Sequence, residues 1–526
     1  MRAPLPCGQL RISTRVARGA LIGLLPLIPM LALAACGSAA PAACRPGGTI
    51  SGGTWPLANA DYANTRDAAG GLITSQNVNQ LCVAWTLPIS GVSVSGAMAT
   101  APIVVDGTVY LQDLKSNVYA IDLQSGTLKW KHLYNHANLG PNGVAVDQGK
   151  VFVASDMQDV AALDAATGAP IWSIQIPAPN TQGIDEQPTA YNGTLYLSTI
   201  PGTAPDEDHF YQGGMMGNIY ALDERTGAII WSFNTVKDGD LWGNPSVNSG
   251  GGAWYPPAID TTTGTTYWGT GNPGPVPGTS QYPNGSSRPG PNLYSDSELA
   301  ISASGQLRWY QQVTPHDLFD HDFEASPILT TAMVNGRQRP VVIGAGKEGV
   351  VVAFDAQTGA VLWKTAVGLH LDDDAQSVPA GQTITILPGA SGGVQTPMAL
   401  ADGVVYVPIV NAAAQFSATR FVSDDTGSGI GELDALDVNT GQILWTSHFN
   451  APDGSATIAG DLVFTSTYSG QMVALDRATG HQVWSWQAPG GVISPLSIVG
   501  DTILVPVGLA DKPELVALKL STAGAA

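Results

Sequence analysis

The sequence predicts an all-β protein, an eight-bladed β-propeller of four-stranded antiparallel blades, with the last blade closed by the N- and C-terminal segments together. Three observations lead there. A unit recurs in which a strand ends in Ala, an apolar residue and Asp, a turn follows on Thr-Gly, and the next strand closes on Trp four residues past the Gly. It reads NVYAIDLQSGTLKW to Trp130, DVAALDAATGAPIW to Trp172, NIYALDERTGAIIW to Trp231, VVVAFDAQTGAVLW to Trp363, ELDALDVNTGQILW to Trp445 and QMVALDRATGHQVW to Trp484, with a degenerate copy ending at Trp309. Each piece alternates in polarity and is rich in Val, Ile, Tyr and Trp, as half-buried strands are. Finally, 62 Gly and 37 Pro suit many short strands joined by turns. Seven copies are complete. Trp85 at one end and strands within 503–520 at the other supply the eighth.

Taken in order, residues 1–35 read as an export signal. Arg2, Arg11, Arg15 and Arg18 precede an apolar run, Ala20–Ala35, that ends in small residues. Leu33-Ala34-Ala35-Cys36-Gly37 predicts a lipoprotein signal with Cys36 as the lipidated first residue; ordinary cleavage with Cys36 incidental is the other arrangement. One lipidated residue tethers a protein rather than spanning a membrane. Residues 36–53, rich in Gly, Ala, Pro and Ser, read as a flexible tether, and 54–526 as the propeller. Cys44 and Cys82 remain as an even pair in an oxidising compartment, which predicts a disulfide; two buried thiols are the alternative. The net charge of −20 becomes −24 once the signal is set aside, which argues against nucleic acid as a partner and leaves room for hard cations.

The recurrent Trp residues are expected to fill the gaps between adjacent sheets. Within the repeat, Asp-x-x-Thr-Gly supplies the turn: Asp caps the local backbone and Gly takes positive φ. Long gaps between successive Trp residues (172 to 231, 231 to 309, 363 to 445) mark loop insertions, where function usually sits. Thr314–Pro327, TPHDLFDHDFEASP, packs His316, Asp317, Asp320, His321, Asp322 and Glu324 into a chain that is only 12% charged. Four carboxylates so close together repel, and water, local donors or a bound cation must compensate them.

The Asp-x-x-Thr-Gly-x-x-x-Trp repeat resembles that of the quinoprotein dehydrogenases, propellers that bind pyrroloquinoline quinone (PQQ). The resemblance runs from Trp55 to about Leu518, and includes the opening Asp61-Tyr62-Ala63-Asn64-Thr65-Arg66. It implies that Trp254 stacks on the quinone, where a core Trp is the plainer role, and that Asn272, in Gly271-Asn272-Pro273, binds a metal through its amide oxygen. Asp320 matches the catalytic aspartate, with Phe319 in place of the family's Trp. Asp322 matches the additional aspartate of the lanthanide-using members, or is a solvated loop residue. Lys347 matches a basic residue that reaches the quinone oxygens. Gln212 stands where the family has a metal-binding Glu, Ala99 where it has a Glu on the quinone, and Asn142 where it has an Arg; Asp206, Glu207 or Asp208 would be a replacement carboxylate.

The resemblance thus implies a PQQ-dependent oxidoreductase for alcohols or sugars, assisted by Ca²⁺ or a lanthanide ion and exported to the periplasm or the outer face of the membrane. It would meet the membrane only through lipid on Cys36. No Cys-x-x-Cys-His haem site is present, so electrons would leave to a separate acceptor. The alternative is a non-catalytic envelope lipoprotein, a scaffold resembling the propeller of the outer-membrane barrel assembly machinery.

Overall fold

The computed structural model describes residues 44, 50, 53–177, 183–201, 213–424, 429–451 and 454–521. The export signal, Cys36, most of the tether, Asp206, Glu207, Asp208 and Gln212 lie outside the described residues. The chain divides into Met1–Ser38 and one large unit, Ala39–Ala526, to which everything below belongs. Among the described residues helix is confined to three single 3₁₀ turns, and no helix is long and apolar enough to cross a membrane.

Among the described residues the strands form eight four-stranded antiparallel sheets, with a two-stranded ribbon of Ser249–Gly250 and Pro273–Gly274 and a smaller sheet described below. Seven are simple meanders, numbered here 2 to 8 in chain order and spanning residues 103–132, 144–175, 189–234, 258–312, 328–366, 399–449 and 457–487. Sheet 1 joins the two ends of the chain: Leu81–Pro88 pairs along Glu514–Leu520, which continues into Thr502–Val507 and Ser497–Val499.

The repeat explains how each sheet is built. The motif Trp lies across from a motif Ala in every sheet: Ala120 and Trp130, Ala162 and Trp172, Ala221 and Trp231, Ala300 and Trp309, Ala353 and Trp363, Ala435 and Trp445, Ala474 and Trp484. In sheet 1 the partner of Trp85 is Ala517, which identifies Glu514–Leu520 as the eighth copy of a motif strand that has lost its Asp. A methyl opposite a large indole lets the ring lie over its own sheet. From there the ring reaches the next one. Trp85 Nε1 donates to Leu123 O, Trp130 to Ala165 O, Trp172 to Glu224 O, Trp231 to Ala303 O, Trp309 to Ala356 O, Trp363 to Val438 O and Trp445 to Arg477 O, at 2.9–3.1 Å. Each indole covers the Gly of the next sheet's turn, as at Gly126 (φ 68°), where a Cβ would fall 2.5 Å from the Trp85 ring. Trp484 is buried in the cluster that joins sheet 8 to sheet 1.

Residues 55–72 form a strap across the sheets. Trp55 exchanges backbone bonds with Val104 of sheet 2, and Tyr62 OH donates to Ala190 O of sheet 4. Ile259, Leu329, Leu400 and Ile458, in the first strands of sheets 5, 6, 7 and 8, donate to Tyr62, Ala63, Thr65 and Arg66. Leu72 then donates to Gly500, in a turn of sheet 1. Eighteen residues span at most ~60 Å when extended, so these edge strands converge on one short segment. The predicted disulfide is formed: Cys44 is joined to Cys82 on Leu81–Pro88. The Trp363–Trp445 gap holds an added three-stranded sheet, Thr383–Ile386, Ala414–Ser417 and Arg420–Asp424.

Candidate active site

The acidic loop connects sheets 5 and 6. Its charged residues divide by role. Asp317 shapes the loop, since its carboxylate accepts the N–H of Phe319 at 2.8 Å and of His321 at 2.9 Å. His321 faces Pro388 O at 3.0 Å, and Phe319 packs on Phe416 of the added sheet with ring centroids 5.2 Å apart. His316 turns away to Gly290 O. Between these anchors Asp320 is held at φ 65°, a left-handed conformation that costs a non-glycine residue about 1–2 kcal/mol.

Asp320, Asp322, Asn272, Lys347 and Trp254 are brought together. Phe323 N donates to Thr270 O at 3.1 Å and Lys347 N to Asp322 O at 2.8 Å, so the loop is laced to Gly269–Pro273 on one side and to the 346–349 turn on the other. Asp322 Oδ1 accepts the Asn272 N–H at 2.6 Å. Lys347 Nζ donates to Asp320 Oδ2 at 3.0 Å and also contacts Asp322 Oδ2. A Cβ on Gly271 would lie 2.7 Å from Asp322 Oδ1 and 3.2 Å from Trp254 Nε1. Only glycine lets the carboxylate and the indole approach this backbone so closely. Trp254 is half-buried, whereas Asp320, Asp322 and Asn272 are buried.

The donor set suits a hard cation. Asn272 Oδ1 is buried without a hydrogen-bond partner, its backbone N–H is bound to Asp322, and Asp320 and Asp322 converge on the Lys347 ammonium. Burial raises the Asp320 pKa; Lys347 opposes that rise, and Asp322 adds to it. A cation at these oxygens would act in the same direction as Lys347. Trp254, half-buried, brings the Nε1 edge of its indole against Gly271, beside Asp322 Oδ1, and an indole is a fit partner for a planar ring. The residues present therefore fit both a metal ion and a planar ring.

Residues 55–146 and 181–369, more than half of the chain, match the PQQ family described as the glucose/ethanol/alcohol dehydrogenase β-propeller domain. The chain belongs to that family. Residues 429–523 match a second repeat family, described as outer membrane protein assembly factor BamB. The chain is 28% identical to the quinoprotein alcohol dehydrogenase PedH of Pseudomonas putida, over 81% of this chain and 80% of that protein. It is 26% identical to the lanthanide-dependent methanol dehydrogenase of Methylorubrum extorquens, over 83% of each. Among solved structures, the quinohemoprotein alcohol dehydrogenase ADHIIG of Pseudomonas putida superposes with a TM-score of 0.79 over 90% of this chain and 81% of that one, at 24% identity. A europium-containing methanol dehydrogenase gives 0.75 over 89% and 98%, at 21% identity.

This member of the PQQ family carries departures with visible structural consequences. Ala99 lies on a small cavity shared with Tyr255, Asn59 and Gln187. Asn142 is fully buried; its Nδ2 donates to Asp113 O at 3.3 Å and its Oδ1 has no partner. Sequence reasoning missed a second set of acids. Asp296, Glu298 and Glu348 are buried, with neither carboxylate oxygen hydrogen-bonded, and burial raises each pKa well above the ordinary value. Glu298 and Glu348 sit singly in ordinary strand and turn text, so only the fold brings them near the loop.

Proposed function

We propose that the chain is a PQQ-dependent oxidoreductase acting on alcohols, built as a closed eight-bladed propeller over residues 54–526 and exported on a lipid anchor at Cys36. The observation that carries this reading is the convergence of Asp320, Asp322, the unpartnered Asn272 Oδ1, Lys347 and Trp254. The relay of Trp contacts and the sheet joining the two chain ends support the ring. The apolar run before Cys36 supports export to the periplasm or the outer face of the membrane.

When bound, PQQ supplies the acceptor for the hydride leaving the alcohol carbon. Asn272 Oδ1, Asp320 and Asp322 would hold a Ca²⁺ or lanthanide ion; Asp322, the additional carboxylate, would suit the higher charge. Gln212 would be the further ligand on sequence grounds. Trp254 would orient the planar ring. Asp320 takes the hydroxyl proton, and Lys347, 3.0 Å away, favours its ionised form before the proton arrives. A separate acceptor would take up the electrons. A docking scaffold has no use for two carboxylates and an orphan amide oxygen gathered at one point.

The test is reconstitution of the purified protein with PQQ and either Ca²⁺ or a lanthanide, followed by dye reduction with simple alcohols and sugars. Asp320→Ala is expected to lose roughly 10²–10⁴-fold in turnover with an unchanged far-UV spectrum. Turnover equal to the parent's would end the assignment of Asp320. A parent that takes up neither quinone nor metal would favour the scaffold.

A further inference from the structure

The sheet that joins the two ends of the chain holds a buried charge with nothing to meet it. Lys519 lies in Glu514–Leu520, across from Cys82 on one side and Thr502 on the other. It is 3% exposed, and its Nζ has no hydrogen-bond partner among the described residues. Arg66, buried as deeply, has every guanidinium N–H bonded. Leaving a buried ammonium's donors unmet is costly, and a partner that forms in another state of the protein would recover that cost.

Cys82 is the side chain opposite. Cross-strand partners in an antiparallel pair share one face, with Cβ atoms about 4.5–5.5 Å apart. This is also the face of Trp85 and Ala517, which looks onto sheet 2. Cys82 is 7% exposed, whereas Cys44, to which it is bridged, is only half-buried. The bridge therefore has one accessible sulfur and one closed in beside Lys519. No other charge is aimed at Cys82 from the surrounding elements. Leu81–Pro88 carries none, Asp501 Oδ1 accepts from Thr502 Oγ1 at 2.9 Å, and the Gln124 amide is bonded to both backbone groups of Ile50. A disulfide sulfur is neutral and gives the ammonium little. A thiolate in the same place gives it an acceptor and a counter-charge.

We propose that Cys44–Cys82 is a thiol-exchange site with a fixed direction, open to small monothiols and dithiols. An incoming thiolate attacks Cys44 Sγ. The new S–S bond forms there, the Cys44–Cys82 bond breaks, and its electron pair leaves on Cys82 as a thiolate held by Lys519. The product is a mixed disulfide on Cys44. A second thiolate attacks the reagent's sulfur in that mixed disulfide and releases Cys44, so the bridge gains two electrons and the reagent ends as its own disulfide. A thiol of lowered pKa is the faster leaving group, which is why Cys82 leaves and Cys44 is attacked. Exchange unfastens Cys44 from Leu81–Pro88 and does not involve the site around Asp320.

The experiment treats the folded full-length protein, without quinone or metal, with glutathione or dithiothreitol at pH 7. Free thiols are trapped with iodoacetamide and each cysteine peptide is read by mass spectrometry. Its outcome is independent of the dehydrogenase reading. Glutathione is expected on Cys44 and the alkyl group on Cys82. Lys519→Met keeps the length and loses the charge, and should slow reduction by dithiothreitol about threefold or more. Lys519→Arg should keep most of the parent's rate. A substitution that merely loosened the seam would speed reduction instead. In Cys44→Ala, the pH midpoint for alkylation of Cys82 should lie below about 8.5, where an ordinary thiol titrates, and adding Lys519→Met should raise it by roughly one unit or more. The proposal is overturned if the bridge resists both reagents until the protein unfolds, if glutathione settles on Cys82, if Lys519→Met is reduced as fast as the parent or faster, or if the Cys82 midpoint is the same with and without Lys519.

Discussion

At the scale of single residues, the fold tolerates an unusual number of buried acids. Glu298 is the plainest case: it is fully buried in the third strand of sheet 5, and neither oxygen has a hydrogen-bond partner. Burial raises its pKa well above the ordinary 4.5, so the folded chain holds this proton to higher pH than the unfolded chain does. The unfolded chain releases it above its own ordinary pKa. Between those two values the unfolded state binds fewer protons, and stability falls as pH rises, by up to ~1.4 kcal/mol per pH unit for one group. Glu298→Gln keeps the shape and has no proton to lose. Its amide carries a fixed cost, but its melting temperature relative to the parent should climb steadily from pH 5 to pH 8. A difference that does not change with pH would mean that Glu298 is ionised in the fold. None of this was legible in the sequence, where Glu298 is one polar letter in an alternating strand. Asp320, Asp322 and Asn272 were legible because their neighbours in the chain are themselves diagnostic.

At the scale of elements, the repeat announced itself because each copy must solve the same problem with the same residues. The turn needs Gly at positive φ, and the indole of the preceding sheet needs the space that a Cβ would take. These requirements can be separated. At Gly107 (φ 71°) a Cβ would meet nothing within 4 Å, whereas at Gly359 (φ 72°) it would fall 2.7 Å from the Trp309 ring. Gly107→Ala should cost only the left-handed strain, about 1–2 kcal/mol. Gly359→Ala should cost that plus displacement of Trp309, roughly 1–3 kcal/mol more. Equal losses in thermal or denaturant unfolding would show that the Trp–Gly contact does not couple one sheet to the next. What the repeat could not show was the added sheet between Trp363 and Trp445, because its strands carry no motif. Its packing under Leu318 and Phe319 follows from contacts between residues about 100 positions apart. Ala517, the eighth partner Ala, was hidden for a related reason: the C-terminal copy lacks the Asp and the Thr-Gly turn that mark the others.

At the scale of the whole molecule, the sheets need something to hold their converging edges, and the strap that carries Arg66 does this. Sequence alone placed Asp61–Arg66 in the repeat's neighbourhood but gave no sign that six residues would reach five sheets. The reason is energetic. Arg66 is fully buried, lies 5.5 Å from the centroid of Trp55, and has no carboxylate partner among the described residues. All five of its guanidinium N–H groups are satisfied instead by neutral acceptors: Nε by Ala456 O at 2.7 Å, Nη1 by Ala58 O at 3.2 Å and Asn59 Oδ1 at 3.0 Å, and Nη2 by Thr457 Oγ1 at 2.6 Å and Leu496 O at 2.8 Å. Those acceptors come from the strap itself, from sheet 8 and from the approach to the sheet that joins the chain ends. Arg66→Ala would strand three carbonyls, Asn59 and Thr457, and leave a cavity, so the loss should be about 3–5 kcal/mol. Arg66→Met refills most of the space without restoring a bond and should recover only a minor part. The Cys44–Cys82 bridge closes a loop of 38 residues at the same junction, and reducing it should remove ~4 kcal/mol through the chain entropy it restores to the unfolded state. If the strap and the bridge both secure the seam between first and last sheets, reduction should lower the melting temperature less in Arg66→Ala than in the parent, because part of the seam is already open. Strictly additive losses would place the two devices in independent regions and leave the seam held by the Glu514–Leu520 pairing alone.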